Sequence, residues 1–242
     1  MRTLDVPQAK ALLSAAEGDR LKALFCLAIH TGLREGEMLG LRWSDLDWKT
    51  GALHVQRQLQ WISGQGPTFA EPKTAKGRRQ VILGPATLSK LQDHNKRQKG
   101  ERLFRGESRQ EQGLIFTSAI GTPLDPCNVL KHFKALLRKA GLPDIRLHDL
   151  RHTAASLMLQ QGVHPKVVQE RLGHSTVSLT LDVYSHVLPG LQESAGIQLD
   201  QLLAVGGSQL YHICTTKQIA GAQAASAMDR YDTIGLYIEQ KD

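Results

Sequence analysis

The stretch LHDLRH, residues 147–152, decides how the chain can be interpreted, because it places His148 and Arg151 three positions apart. On a helix, two residues at that spacing share one face. The run that follows, residues 154–159, consists largely of good helix formers, and Gly162 is a typical C-terminal stop. The sequence therefore predicts a helix that begins near His148 and presents His148 and Arg151 together.

Further chemically active residues lie on both sides of this helix. The stretches LGH (172–174) and YSH (184–186) follow it, so that His174 and Tyr184 lie within forty residues of His148. Upstream, Gly32 is expected to end one helix and Arg34 to open the next. Glu37 would lie three residues after Arg34, where its carboxylate could hold the guanidinium in position.

These residue types suit chemistry on a phosphodiester. Guanidinium groups match the charge that builds up on the non-bridging oxygens of the transition state. A tyrosine, with a reference pKa of about 10, needs a base or a cationic field to attack, and a lysine or histidine can protonate the leaving oxygen. We find neither a carboxylate cluster for Mg²⁺ nor a glycine-rich phosphate loop in the sequence, which predicts a reaction without a metal or other cofactor.

A zinc site is the alternative interpretation of the same stretch. His148 and His152 have the i, i+4 separation of two ligands on a zinc-binding helix. However, Asp149 follows His148 where a zinc hydrolase helix carries its general-base glutamate. Arg151 would also bring a positive charge next to the metal, so we consider this alternative the weaker one.

Composition and charge limit the class of protein. The chain has 242 residues, 41% of them hydrophobic, and a net charge of +7, all of which arises between Glu71 and Arg105, where ten Lys/Arg face three Asp/Glu. Such a segment suggests contact with a polyanion, most commonly nucleic acid, although a solvated basic surface is the alternative. The sequence shows no signal pattern and no membrane-spanning run, and its three distant cysteines indicate a reducing compartment.

The periodicity predicts a mainly α-helical protein with a small antiparallel sheet of two or three strands. Caps and apolar spacing predict helices, and alternation between turns predicts strands. The predicted helices are 5–18, 20–31, 85–105 and 126–140, and the predicted strands are 52–59, 68–74 and 79–83.

Five segments together resemble one family, the tyrosine recombinases or phage-type integrases, in the order in which that family carries them. The segment TGLREGE (31–37) resembles the one with the first catalytic arginine, and PKT (72–74) the hairpin lysine. LHDLRHT (147–153) resembles the His-x-x-Arg box, LGHS (172–175) the third cationic position, and YSHV (184–187) the nucleophile segment. The resemblance covers residues 1 to about 203 and implies the fold of that family's catalytic domain.

The resemblance also implies a role for each residue. Tyr184 would attack a DNA phosphate to give a 3′-phosphotyrosine and a free 5′-hydroxyl. The remaining catalytic roles fall to five residues: Arg34, Arg151 and His174 hold the phosphate oxygens, Lys73 is the general acid, and His148 assists proton transfer at the tyrosine. Glu37 would orient Arg34 or His148, and we expect the basic residues around the hairpin lysine, Lys76, Arg78 and Arg79, to contact DNA.

Family members act as tetramers on paired double-stranded DNA sites through a Holliday junction, in some cases with accessory DNA-bending proteins. We therefore expect a cytoplasmic prokaryotic protein with DNA as partner, most simply a recombinase that integrates or excises a mobile element. We further expect a catalytic domain over residues 1–203, a tail over 204–242, and no N-terminal core-binding domain. The alternatives are resolution of chromosome or plasmid dimers, relaxation of supercoils alone, or a DNA-binding remnant that does not recombine.

Overall fold

The computed structural model of the protein describes residues 2–72, 77–106, 110, 112–174, 176, 196, 197, 199–201 and 203. Contacts between residues divide the chain into two units, residues 1–189 and 190–242. The described residues of the second unit lie between 196 and 203, and they are helical and exposed. The predicted domain boundary at residue 203 stays a prediction. None of the helices that the structure describes is long and apolar enough to span a bilayer.

Helices are the main secondary structure among the described residues of the first unit. They are α1 (Val6–Ala15), α2 (Lys22–Thr31), α3 (Glu35–Leu39), α4 (Pro85–Arg105), α5 (Pro126–Lys139), α6 (Asp149–Gln160) and α7 (Pro165–Leu172). Local sequence explains several of the ends: Asp5 and Gln8 form a reciprocal capping box at the start of α1. Gly32 ends α2 in the left-handed conformation, with φ of 65°. The sequence did not predict α7, although Pro165 and Gly173 mark its two ends.

The strands form two separate two-stranded sheets, where one sheet of two or three strands was predicted. They are β1 (Ala52–Val55), β2 (Gln58–Ile62), β3 (Gly66–Ala70) and β4 (Arg79–Ile82). The first sheet pairs β1 with β4 and the second is the β2–β3 hairpin, both antiparallel. The predicted strand 52–59 is thus divided at Gln56 and Arg57, where the Arg57 guanidinium turns to form an ion pair with the buried Asp45.

One hydrophobic core joins α1–α5 and the β1–β4 sheet. Phe25 of α2 and Phe133 of α5 lie at its centre with their ring centroids 5.8 Å apart, and Phe116 is equally inaccessible. Burying an aromatic side chain of this size stabilises a fold by about 1.5–3 kcal/mol, so these rings contribute strongly to the positions of α2 and α5. The core therefore holds the end of α2, and with it the loop at Gly32, in a fixed position.

Two glycines near Arg34, Gly32 and Gly36, allow α6, α7 and β2 to pack closely against this loop. A Cβ atom on Gly32 would collide with Leu172 of α7 and lie 3.3 Å from Cβ of Ala154 on α6. A Cβ on Gly36 would lie only 2.7 Å from the Leu59 carbonyl oxygen of β2. The absence of side chains at these two positions thus lets α6, α7 and the β2–β3 hairpin converge on the segment around Arg34.

Candidate active site

Arg34 lies at the N-cap of α3, where Glu37 holds it at two points. Glu37 Oε2 accepts from the Arg34 backbone N–H at 2.9 Å, and Oε1 accepts from Arg34 Nη1 at 2.8 Å. The Glu37 side chain is 3% exposed, whereas that of Arg34 is 43% exposed. The arrangement fixes the base of the arginine and leaves its guanidinium accessible to an anion, which fits the orienting role predicted for Glu37.

Arg151 and His148 are positioned by the first turn of α6. Arg151 is buried, and its Nη1 donates to the Gly32 carbonyl oxygen at 2.8 Å, which ties α6 to the end of α2. His148 is exposed at the N-cap of the same helix. Asp149 anchors this turn, because its carboxylate accepts from Arg146 Nη2 and from the Arg146 backbone N–H, both at 2.9 Å. Burial opposes ionisation of Asp149, but its bonds with Arg146 outweigh that effect and keep its pKa below the ordinary value.

His174 follows α7 directly and is clamped by Gln169. The Gln169 side-chain amide donates to the His174 carbonyl oxygen at 2.6 Å, and the Gln169 carbonyl oxygen accepts from the His174 backbone N–H at 3.1 Å. Gln169 and His174 are both buried, 2% and 8% exposed. Gln169 was not among the predicted site residues, since a lone glutamine inside a helix carries no signal that distinguishes it from a surface residue.

The charges of Arg34 and Arg151 affect the protonation of the two neighbouring histidines, His174 and His148. Burial, and then the positive charges of Arg151 and Arg34, lower the pKa of His174 to about 4. Partial burial, followed by the charge of Arg151, lowers the pKa of His148. Both imidazoles are therefore neutral at pH 7: His174 can donate an N–H hydrogen bond, and His148 can accept a proton.

Arg78 and Arg79 are adjacent in sequence but differ in environment. Arg78 is exposed, and the side chain of Arg79 is only 7% exposed. Arg79 donates from Nη1 and Nη2 to the two oxygens of Glu37, at 3.1 and 2.7 Å. The expectation that Arg79 contacts DNA has to be revised, because its guanidinium is turned inward to a buried carboxylate.

A cavity of about 260 Å³ opens beside His174. Its wall carries cations that could face a phosphate backbone, including Lys166, whose Nζ is held by Gln169 Oε1 at 3.0 Å. The lining residues are Arg78, Arg79, Lys166, Gln169, Glu170, Gly173 and His174. Three of the predicted site residues, Lys73, Lys76 and the nucleophile Tyr184, lie outside the described residues, so their roles stay predictions.

The two histidines of the zinc alternative pack against each other. The rings of His148 and His152 meet edge to face, with centroids 5.1 Å apart. Burial, and then the charge of His148, lower the pKa of His152 to about 4. Within the part of the chain that the structure describes, no group of three or more His, Cys, Asp or Glu side chains is placed to hold a metal ion.

Comparison with known proteins connects this geometry to one family. Residues 2–190 match the model of the phage integrase family. The chain is 37% identical over 213 residues to a protein named tyrosine recombinase XerC-like from Caldanaerobacter subterraneus, covering 84% of this chain and 54% of that protein. It is 34% identical over 198 residues to the ICEBs1 integrase of Bacillus subtilis, covering 80% and 53%. The chain thus spans about half the length of the curated relatives it matches.

Solved structures agree with the sequence matches. The integrase of the transposon Tn1549, in complex with transposon right end DNA, superimposes with a TM-score of 0.70 at 25% identity, over 84% of this chain and 66% of that one. XerA recombinase superimposes with a TM-score of 0.60 at 26% identity, over 86% and 65%. These likenesses confirm the predicted fold class, mainly helical with small antiparallel sheets. From the match over residues 2–190 and the shared fold, we conclude that the chain belongs to the phage integrase family, the tyrosine recombinases.

Proposed function

We propose that the protein is a site-specific DNA recombinase that cleaves and rejoins DNA strands through a 3′-phosphotyrosine, in the integration or excision of a mobile element. The observation that carries the proposal is the convergence of Arg34, Arg151, His174 and His148 around the ends of α2, α6 and α7. Relatives named for a mobile element, the ICEBs1 integrase and the Tn1549 transposon integrase, support that biological setting.

Three groups would stabilise the charge on the phosphate. Arg34 offers a half-exposed guanidinium whose orientation Glu37 fixes. Arg151 approaches from α6, and the neutral His174 donates an N–H from the end of α7. Donors fixed before the substrate arrives need no reorganisation as charge develops, and removing one such donor typically costs about 10²–10³ in rate.

Proton transfer completes the reaction. The Tyr184 oxygen would attack phosphorus while the bond from phosphorus to the 5′ oxygen breaks. The tyrosine proton would pass to the neutral His148, whose lowered pKa leaves it free to accept, and Lys73 would protonate the 5′ oxygen. The phosphate remains a diester on the enzyme, so a second 5′-hydroxyl can attack it and restore the DNA. Because the bond energy is retained, the proposed cycle needs no ATP and no cofactor.

Double-stranded DNA is the proposed partner, and the exposed Arg78 on the wall of the cavity is suited to its phosphates. We also propose that the protein acts as a homotetramer that holds two DNA sites, with help from DNA-bending proteins. Its proposed location is the cytoplasm. Lys76 is proposed to contact the same DNA from the segment that carries Lys73.

Trapping of the covalent intermediate tests the function. A pool of nicked DNA substrates taken from the ends of the source element should give a protein–DNA band on a denaturing gel with the wild-type chain. Tyr184→Phe should bind the same DNA and give no band, and EDTA should leave the wild-type band unchanged. Binding without a band in the wild type would favour a DNA-binding remnant, and a band that EDTA removes would contradict the mechanism.

A second assay compares relaxation of supercoiled DNA with strand exchange between two marked sites. Relaxation of supercoils without exchange between the two sites would indicate a topoisomerase.

A further inference from the structure

Arg79 connects three segments that carry the candidate active site. Its Nη1 and Nη2 bond the two oxygens of Glu37, the carboxylate that holds Arg34. Its Nε donates to the Arg171 carbonyl oxygen at 2.8 Å, three residues before His174. Its Nη1 also donates to the Gly77 carbonyl oxygen at 3.1 Å, four residues after Lys73. One buried guanidinium thus bonds Glu37, the end of α7 and the Gly77 carbonyl at the start of the segment leading into β4.

The neighbouring backbone is adapted to this guanidinium. Gly173 adopts φ of +71°, and a Cβ atom there would lie 2.8 Å from Arg79 Nη1 and 3.0 Å from Cζ. The Gly173 carbonyl oxygen in turn lies 3.5 Å from Arg34 Nη2. Arg79 therefore packs directly against the residue that precedes His174, and the carbonyl group of that residue contacts Arg34.

The bonding of Arg79 is unsuited to a DNA contact. A guanidinium has five N–H donors, and these four hydrogen bonds occupy most of them. Its side chain is 7% exposed, against 58% for that of Arg78, and both of its Nη atoms are already bonded to Glu37. A planar fork that binds a carboxylate at two points fixes the geometry of its partners, which a lysine ammonium does not do.

We propose that Arg79 is a positioning residue, which holds Arg34 and His174 in register for strand cleavage without touching DNA. This inference rests on the proposed recombinase function for its catalytic consequence. Misplacement of catalytic groups by about 1 Å can cost about 10²-fold in rate, so loss of the fork should lower the cleavage rate of bound DNA by about 10- to 100-fold.

The test compares Arg79→Lys and Arg79→Ala with Arg78→Lys and Arg78→Ala in the full chain. Arg79→Lys keeps a positive charge beside Glu37 and is therefore the variant best placed to fold. We expect it to lower the single-turnover cleavage rate at saturating DNA while the salt dependence of binding stays that of the wild type. Arg78→Ala should instead weaken binding and reduce the salt slope by about one, and Arg78→Lys should restore both, as a phosphate contact does.

Amide hydrogen exchange supplies a second measurement that does not depend on activity. Arg79→Lys should accelerate exchange in peptides that cover residues 34–40 and 169–174, whereas Arg78→Lys should not. The proposal is overturned if Arg79→Lys leaves either the cleavage rate or the exchange in these peptides unchanged. It is also overturned if Arg79→Ala reduces the salt slope of binding and Arg79→Lys restores it. If the wild type gives no covalent product, the proposed function fails, and the exchange comparison still decides whether Arg79 holds the segments together.

Discussion

Glu37→Gln should destabilise the protein strongly, because Glu37 neutralises a buried arginine. The two side chains of the Glu37–Arg79 pair are 3% and 7% exposed, so replacing the carboxylate leaves a buried guanidinium without a counter-charge. Breaking a buried pair in this way typically costs about 3–5 kcal/mol. The contact with Arg34 adds little, because that arginine is 43% exposed and water screens it. We therefore expect Glu37→Gln to lower the free energy of unfolding by about 3–5 kcal/mol at pH 7.

Urea unfolding as a function of pH measures this effect. Burial alone would raise the pKa of Glu37, but its bonds with Arg79 and Arg34 outweigh burial and hold the pKa below the ordinary value. The stabilisation is thus fully present above the unfolded pKa of about 4.3 and is lost as the pH falls through the lower folded value. The gap between wild type and Glu37→Gln should narrow below about pH 4. Glu170→Gln, which removes one partner of an exposed ion pair with Lys166, is the control and should change stability little. A loss below about 1 kcal/mol, or a gap independent of pH, would refute the reasoning.

Three further predictions concern single residues. Gly173→Ala should lower the free energy of unfolding in urea more than Gly162→Ala does. Both glycines have positive φ, but only an alanine at 173 would place its Cβ against Arg79. Equal losses would contradict the close contact between Gly173 and Arg79. His94 is buried and donates from Nε2 to the Ile115 carbonyl oxygen, and burial is the main cause that lowers its pKa to about 4. The unfolded protein therefore binds more protons at this histidine than the folded protein does between about pH 4 and 6.5. The free energy of unfolding should therefore rise with pH across that range, and it should rise less steeply in His94→Gln. An equal slope in the two proteins would contradict the burial of His94. Lys73→Ala should slow cleavage of normal DNA but not of DNA with a 5′-bridging phosphorothiolate, whose sulfur leaves without a proton, and failure of this rescue would remove Lys73 from the general-acid role.

Local signals in the sequence were sufficient for the elements that local chemistry determines. Asp5, an N-cap residue type, predicts the start of α1, and Gly32 predicts the end of α2, because a cap or a left-handed turn depends on residues within one helical turn. Glu37 is three residues from Arg34, so their contact was also predictable.

Contacts between distant positions could not be predicted in this way. Arg79 follows Arg78 in a basic segment, and nothing near it indicates that its partner is a carboxylate 42 positions away. Gln169 is a different case, because its partner His174 is only five positions away, but no sequence pattern singles out that glutamine. Sequence patterns record composition and period, whereas burial and pairing depend on the packed structure.

Identification of the amino acid that becomes linked to DNA shows whether Tyr184 is the nucleophile. The chain contains four tyrosines, Tyr184, Tyr211, Tyr231 and Tyr237, so peptide mapping of the nuclease-treated covalent complex by mass spectrometry can assign the link. We predict a nucleotide joined through its 3′ phosphate to Tyr184, in an amount that falls sharply in Arg151→Ala. A nucleotide on another residue, or on Tyr184 in an amount that Arg151→Ala leaves unchanged, would contradict the assignment of this site.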